Sequence, residues 1–211
     1  MSTSIPMFAL CIVAATAIAG TQENQDPGTA APSQDNMARI VAARDCGPEH
    51  QRLLDILGSW EIERREWRVP GQPQPAIMTG IVHNTSILGG RYLRMATTWK
   101  IGDRLHESVN FFGYDARQGR YTQLTLDSAT TWHIEGSGKW IAPKNSIVFD
   151  AKDEDPMTKT TTELSTVLAM SKQSWQMTTT KAIHSESSDE PQRFKSLEVV
   201  TKRRTAAVVG R

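Results

Sequence analysis

Cysteine is nearly absent: the 211 residues contain two, Cys11 and Cys46. Cys11 lies inside an apolar leader that reads as removable, so Cys46 stands alone in the mature chain and an intrachain disulfide is excluded. Stability then has to come from a packed core. Cys46, in DCGPEH, reads as a small buried or inert side chain. Charge of one sign is also missing, since 24 basic and 23 acidic residues leave +1, which gives no bias toward nucleic acid or another polyanion. No internal period marks a solenoid or coiled coil, and no apolar run reaches the roughly 20 residues of a membrane span.

Catalytic and metal signatures are equally scarce. The five histidines, at 50, 83, 106, 133 and 184, include no pair spaced to place two imidazoles on one strand or helix face. A metal site would need His83, His106 and His133 to converge from three strands. GSW and GSG lack the surroundings of a serine elbow, and there is no phosphate loop or G-x-G-x-x-G. Asp153, Glu154 and Asp155 run into Pro156 and read as a solvated turn. No cofactor is expected. What remains, 38% hydrophobic and 22% charged residues, is the composition of one globular domain.

The N-terminus carries an address. Ile5 to Gly20 is uncharged and mostly apolar, offers Ala17 and Ala19 as an A-x-A cleavage signature, and passes directly into TQENQDPGTAAPSQDN. Residues 1–20 therefore read as an export signal, 21–35 as a flexible linker and 36–211 as the folded domain, periplasmic or extracellular, with no membrane span after cleavage. MSTSIPMF has no Lys or Arg, which leaves a retained anchor or a mis-assigned start as the alternative. Lipidation at Cys11 is disfavoured by Leu10 before it.

Within the domain, Met37, Ile40, Val41 and Arg44 recur at helical spacing, as do His50, Leu53, Leu54 and Leu57 after Pro48, with Gly58 placed to cap the second helix. From Trp60 onward the period becomes two. Strands are expected at 60–69, 79–88, 92–100, 105–114, 121–127, 131–136, 146–151, 158–170, 173–184 and 193–203. The links PGQPQP, LGG, IGD, DARQG, SGK, DEDP and SESSDEP are too short for helical crossovers, so neighbouring strands run antiparallel. About ten strands in a meander remove both exposed edges by closing on themselves. The fold class is thus all-β, an up-and-down antiparallel β-barrel with one or two short N-terminal helices. Leu93, Met95, Thr97 and Trp99 are expected on one face, and Leu105, Val109 and Phe111 on the apolar face of the next strand.

Four segments, EHQRLLDILGSWE, ILGGRYL, FFGYDARQGRYTQLTLDS and FKSLEVVTKRR, resemble in order and spacing a bacterial secreted family of undetermined function that is regarded as lipocalin-like, with G-x-W, L-G-G-R and G-Y-D motifs. The resemblance spans Cys46 to Arg204. It implies a calycin-like barrel in which Gly58 and Trp60 open the first strand, the Trp60 indole plugs the base, and Arg203 (or Arg204) of the last strand lies over that indole. It implies no activity.

A barrel of this size encloses packed side chains or one small ligand. Trp99, Phe111, Trp132 and Trp175 are the aromatic candidates for a ligand lining, and Tyr114, His83 and Arg91 the polar ones. His83 is in phase with Ile81 and Ile87, hence expected inside, and Arg91 is expected to pair with a carboxylate such as Asp127. The leading expectation is an exported barrel that binds a small hydrophobic or amphipathic molecule. The alternatives are an enzyme using a lumenal His83/Tyr114 acid–base pair, a haem-binding barrel of the nitrobindin kind, and a ligand-free envelope interaction module. Oligomeric state is left open.

Overall fold

A computed structural model describes residues 34–155, 157–171, 173–184 and 190–203. The expected signal, Cys11, residues 21–33 of the expected linker and Arg204 lie outside the described residues. Two short helices come first, α1 (Gln34–Ala42) and α2 (Pro48–Leu54). Ten strands follow: β1 (Gly58–Glu66), β2 (Ala76–Ile87), β3 (Tyr92–Ile101), β4 (Arg104–Asp115), β5 (Arg120–Asp127), β6 (Ile134–Ile141), β7 (Ser146–Asp155), β8 (Thr160–Met170), β9 (Trp175–His184) and β10 (Gln192–Arg203). Each pairs antiparallel with its neighbour in sequence, and β1 pairs with β10 from Trp60 opposite Arg203 to Glu66 opposite Leu197. The barrel is closed. Among the described strands no sheet edge is left free to recruit another.

Alternation decides the walls. Leu93, Met95, Thr97 and Trp99 are all buried on β3, and Met78, Val82 and Asn84 are buried on β2. One end of the barrel is packed solid: Leu53, Ile56, Trp60, Val82, Leu93, Phe112, Ile147, Phe149 and Leu168 form a single apolar cluster. Helix α2 covers this end. Its Leu53 enters the cluster, while Arg52 donates to the Tyr121 hydroxyl at 3.3 Å and lies 4.9 Å over the Trp140 ring. Trp60 is fully buried, and its indole N–H donates to the Ile56 carbonyl at 3.0 Å. Asn84 Nδ2 donates to the same carbonyl at 2.8 Å, so β1 and β2 are both tied to the link that leaves α2.

Four local expectations need correction. Helix α2 ends at Leu54 with Asp55 as its cap; Gly58, at φ +116°, opens β1 instead of capping the helix. The SGK segment is not a turn, because β6 runs through it, with Gly138 opposite Phe149. A glycine is required there, since a Cβ on Gly138 would lie 2.6 Å from the Val148 carbonyl oxygen and 2.8 Å from the Phe149 ring. Asp153 to Asp155 continue β7 opposite Thr162 to Thr160, so the acidic cluster belongs to a strand end. The phase of β4 is the reverse of that expected: Asn110 and Phe112 are buried, while Leu105 is exposed and Phe111 lies on its outward-facing row.

The β4–β5 turn shows how a charged tip is held. Asp115 accepts from the backbone N–H of Arg117 at 2.9 Å, from its guanidinium at 3.2 and 3.1 Å, and from Gln118 Nε2 at 2.9 Å. The Arg117 side chain foremost, with the backbone N–H and Gln118, holds the carboxyl down at about 2. A carboxyl depressed in the folded state stabilises that state above the ordinary value near ~3.9, and the contribution is lost as pH falls through about 2. In Arg117→Ala the Asp115 midpoint, followed by NMR, should rise toward the ordinary range; an unchanged midpoint would mean that the guanidinium does not hold this turn.

Candidate functional site

The unpacked half of the interior is a cavity of about 420 Å³ at the end of the barrel opposite α2. Every second residue of a strand faces it, so its lining follows from strand parity. Met177 and Val199 approach it from the packed end, beside Trp175. A polar belt comes next: Thr97 from β3, Asn110 from β4, Thr125 from β5, Thr166 from β8 and Thr179 from β9. Arg64, Trp99 and Asp127 stand nearer the mouth.

The belt is largely bonded within itself. Thr125 Oγ1 donates to Asn110 Oδ1 at 2.6 Å, Gln123 Nε2 donates to Thr125 Oγ1 at 3.0 Å, and the Thr166 and Thr179 hydroxyls lie 3.0 Å apart. A bulge in β10 between Lys195 and Leu197 turns Ser196 inward, where its hydroxyl donates to the Thr179 carbonyl at 3.1 Å. These bonds satisfy hydroxyls and amides that burial would otherwise make costly.

Of the charged residues in the lining, which include Glu66, Arg68, Asp127 and Lys181, Arg64 is the one held over an indole. It shares parity with Trp60 and Ile62, its side chain is only 19% exposed, and its guanidinium carbon sits 4.5 Å from the centre of the Trp99 ring. His106 stacks on that indole at 5.8 Å. Burial draws Arg64 below the ordinary guanidinium range, with Glu66 and Asp127 acting in the opposite sense. It stays cationic at neutral pH, because a guanidinium does not deprotonate in proteins. A cation over an indole in a partly desolvated site is attracted by the ring's electron-rich face.

The residues singled out from the sequence separate into three places. Trp99 and Trp175 line the cavity. Arg91 and Tyr114 meet outside it, in a cleft of about 310 Å³ at the packed end with His50 and Tyr92; Tyr114 packs edge-on against His50 and Tyr121. His83, Phe111 and Trp132 belong to the outer surface. His83 is exposed and bonds Ser59 Oγ at 2.8 Å, because Val82 and Asn84 beside it take the inward positions, so the expected lumenal pairing with Tyr114 does not form. Trp132 is 57% exposed beyond the end of β5. Arg91 donates to the carbonyls of Leu88 and Arg44 and not to Asp127, whose carboxylate accepts from Ala129 and Thr130.

His106 and His133 lie in different places. His106, grouped with Ser108 and Asn110, shares their place on the cavity wall, while His133 is exposed beside Glu135. Among the described residues no three His, Cys, Asp or Glu side chains come together as a metal-holding group. Cys46 is half-buried, with its thiol 3.7 Å from the Gly89 carbonyl. The backbone register puts Arg203 directly opposite Trp60.

Sequence reasoning missed Arg64. Its parity with Trp60 and Ile62 is the signal in the sequence that marks it as inward-facing.

Fold and cavity together define a class: a closed ten-stranded antiparallel barrel, plugged at one end and hollow at the other. The chain belongs to the family described as "Protein of unknown function (DUF1579)", which matches residues 45–202. That match covers all ten strands apart from the final residue of β10. No curated protein matches the chain.

Proposed function

We propose that this protein is an exported binding barrel that carries one small amphipathic molecule in its lumen. The observation that carries the reading is the cavity itself. At about 420 Å³ it falls within the ~300–1,000 Å³ range of small-molecule sites. Its lining sets aromatic and aliphatic side chains beside a broad band of polar and charged ones, a mixture suited to an amphipathic ligand. Packing at the α2 end supports entry from the other end only. The leader Ile5–Gly20 supports export, and a polar chain ahead of α1 suits a tether between a cleavage site and the barrel.

Native mass spectrometry of protein purified from its own host tests the proposal. The expected result is a mature mass beginning near Thr21, plus a small-molecule increment that denaturation releases into organic solvent. Barrel that is repeatedly recovered empty would overturn the carrier role, and an intact N-terminal leader on protein confined to the cytoplasmic fraction would overturn export.

A further inference from the structure

Buried hydrogen-bonding groups without partners are uncommon, and those around this cavity share one chemical sense. Among the described residues, Arg64 Nε, Trp99 Nε1 and Trp175 Nε1 are buried with no acceptor, and all three residues line the cavity. The other unpartnered buried atoms, Asn84 Oδ1, Ser146 Oγ and His184 Nε2, belong to residues that do not line it. The lumen therefore offers spare N–H donors, one of them cationic.

Glu66 forms a long ion pair with Arg64 but leaves the Nε–H available to a ligand's acceptor. Glu66 reaches no closer than 3.7 Å to Arg64 Nε, beyond hydrogen-bonding distance. Asp127 has its Oδ1 engaged by the N–H groups of Ala129 and Thr130, at 2.8 and 3.0 Å, in the turn after β5. Thr97, Asn110, Thr125, Thr166 and Thr179 add no formal charge. The aliphatic and aromatic surface is provided by Met95, Trp99, Leu164, Trp175, Met177 and Leu197.

We propose that the lumen selects an amphipathic monoanion, whose carboxylate-type head group pairs with Arg64 beside Trp99 while its apolar body reaches toward Trp175 and Met177. This rests on the lumenal binding reading above and adds the ligand's charge to it. A guanidinium is suited to such a head group because its N–H groups match two carboxylate oxygens, and a partly dehydrated site strengthens the bond. A neutral ligand of the same shape that lacks a carboxylate acceptor would leave the Arg64 Nε–H without a hydrogen-bond partner, and that omission is the source of selectivity.

The test compares decanoate with its uncharged ester, methyl decanoate, by titration calorimetry on the full mature chain at neutral pH. Wild-type protein should bind decanoate at least about tenfold more tightly, the scale of one charge-assisted hydrogen bond. Arg64→Met should abolish that preference while retaining ester binding, and Arg64→Lys should keep part of it. Equal wild-type affinity for both compounds would overturn the anion selectivity and leave the carrier reading standing. Binding of neither compound would overturn the proposal, and the native-ligand experiment would then decide the carrier reading separately. The wild-type comparison is decisive even if a variant fails to fold, since it needs no substitution.

Discussion

Trp60→Ala should lower the stability of the barrel by about 3 to 5 kcal/mol, the cost of truncating a large aromatic in a core that cannot collapse around the gap. Trp60 has no exposed surface, and its indole is surrounded by residues of the packed end, including Leu53, Ile56 and Val82. These neighbours come from the α2 segment and from a hydrogen-bonded sheet, so neither side can move in freely. The change also removes the indole N–H donated to the Ile56 carbonyl, but Asn84 Nδ2 continues to satisfy that oxygen. The loss should therefore be mainly one of packing. Trp60→Phe, which keeps an aromatic ring, should cost substantially less than Trp60→Ala. Chemical denaturation followed by circular dichroism measures both, and an effect below about 1 kcal/mol for Trp60→Ala would mean that the packed end does not depend on this side chain.

Gly138→Val is expected to destabilise by about 1 to 3 kcal/mol, in the opposite physical sense, through crowding. The space a Cβ would need is taken up by the Val148 backbone oxygen at 2.6 Å and the Phe149 ring at 2.8 Å. A flexible side-chain tip could swing away; a carbonyl locked in the β6–β7 ladder and a ring buried in the core cannot do so without shifting the sheet. Phe149 also packs on Phe112 with ring centres 5.3 Å apart, so displacing it disturbs β4 across the interior. Ser137→Val, one position along on the other wall, is the control and should stay within about 0.5 kcal/mol. Equal denaturation midpoints for the two variants would show that Phe149 does not require the glycine.

The two predictions concern features of very different legibility. Trp60 could be located from sequence because a helix, a glycine and an indole occur together just where the hydrophobic period changes to two. Gly138 was misread because Ser-Gly-Lys has the composition of a turn, and composition cannot reveal that an aromatic on the neighbouring strand occupies the missing side chain's place. The same division runs through the cavity. Trp99 was legible as an inward residue, since Leu93, Met95, Thr97 and Trp99 alternate cleanly with polar neighbours. On β4 the two parities compete, Leu105, Val109 and Phe111 against Asn110 and Phe112, and the more apolar set faces out. His83 was misplaced by the same ambiguity on β2, where isoleucines occupy the outward row and Asn84 is buried to bond Ile56.

By itself the sequence determined the number of strands, their antiparallel order and the short helices ahead of them. These are local properties: period, turn chemistry and link length act over a few residues at a time. Tertiary structure alone decided which parity of each strand faces inward, that the lumen is filled at one end and hollow at the other, and that Arg64 stands beside Trp99 with no carboxylate in hydrogen-bonding range of its Nε. The reason is geometric. A strand has two faces that differ by one residue in register, and the choice between them is made by the side chains of the nine other strands meeting across a closed interior.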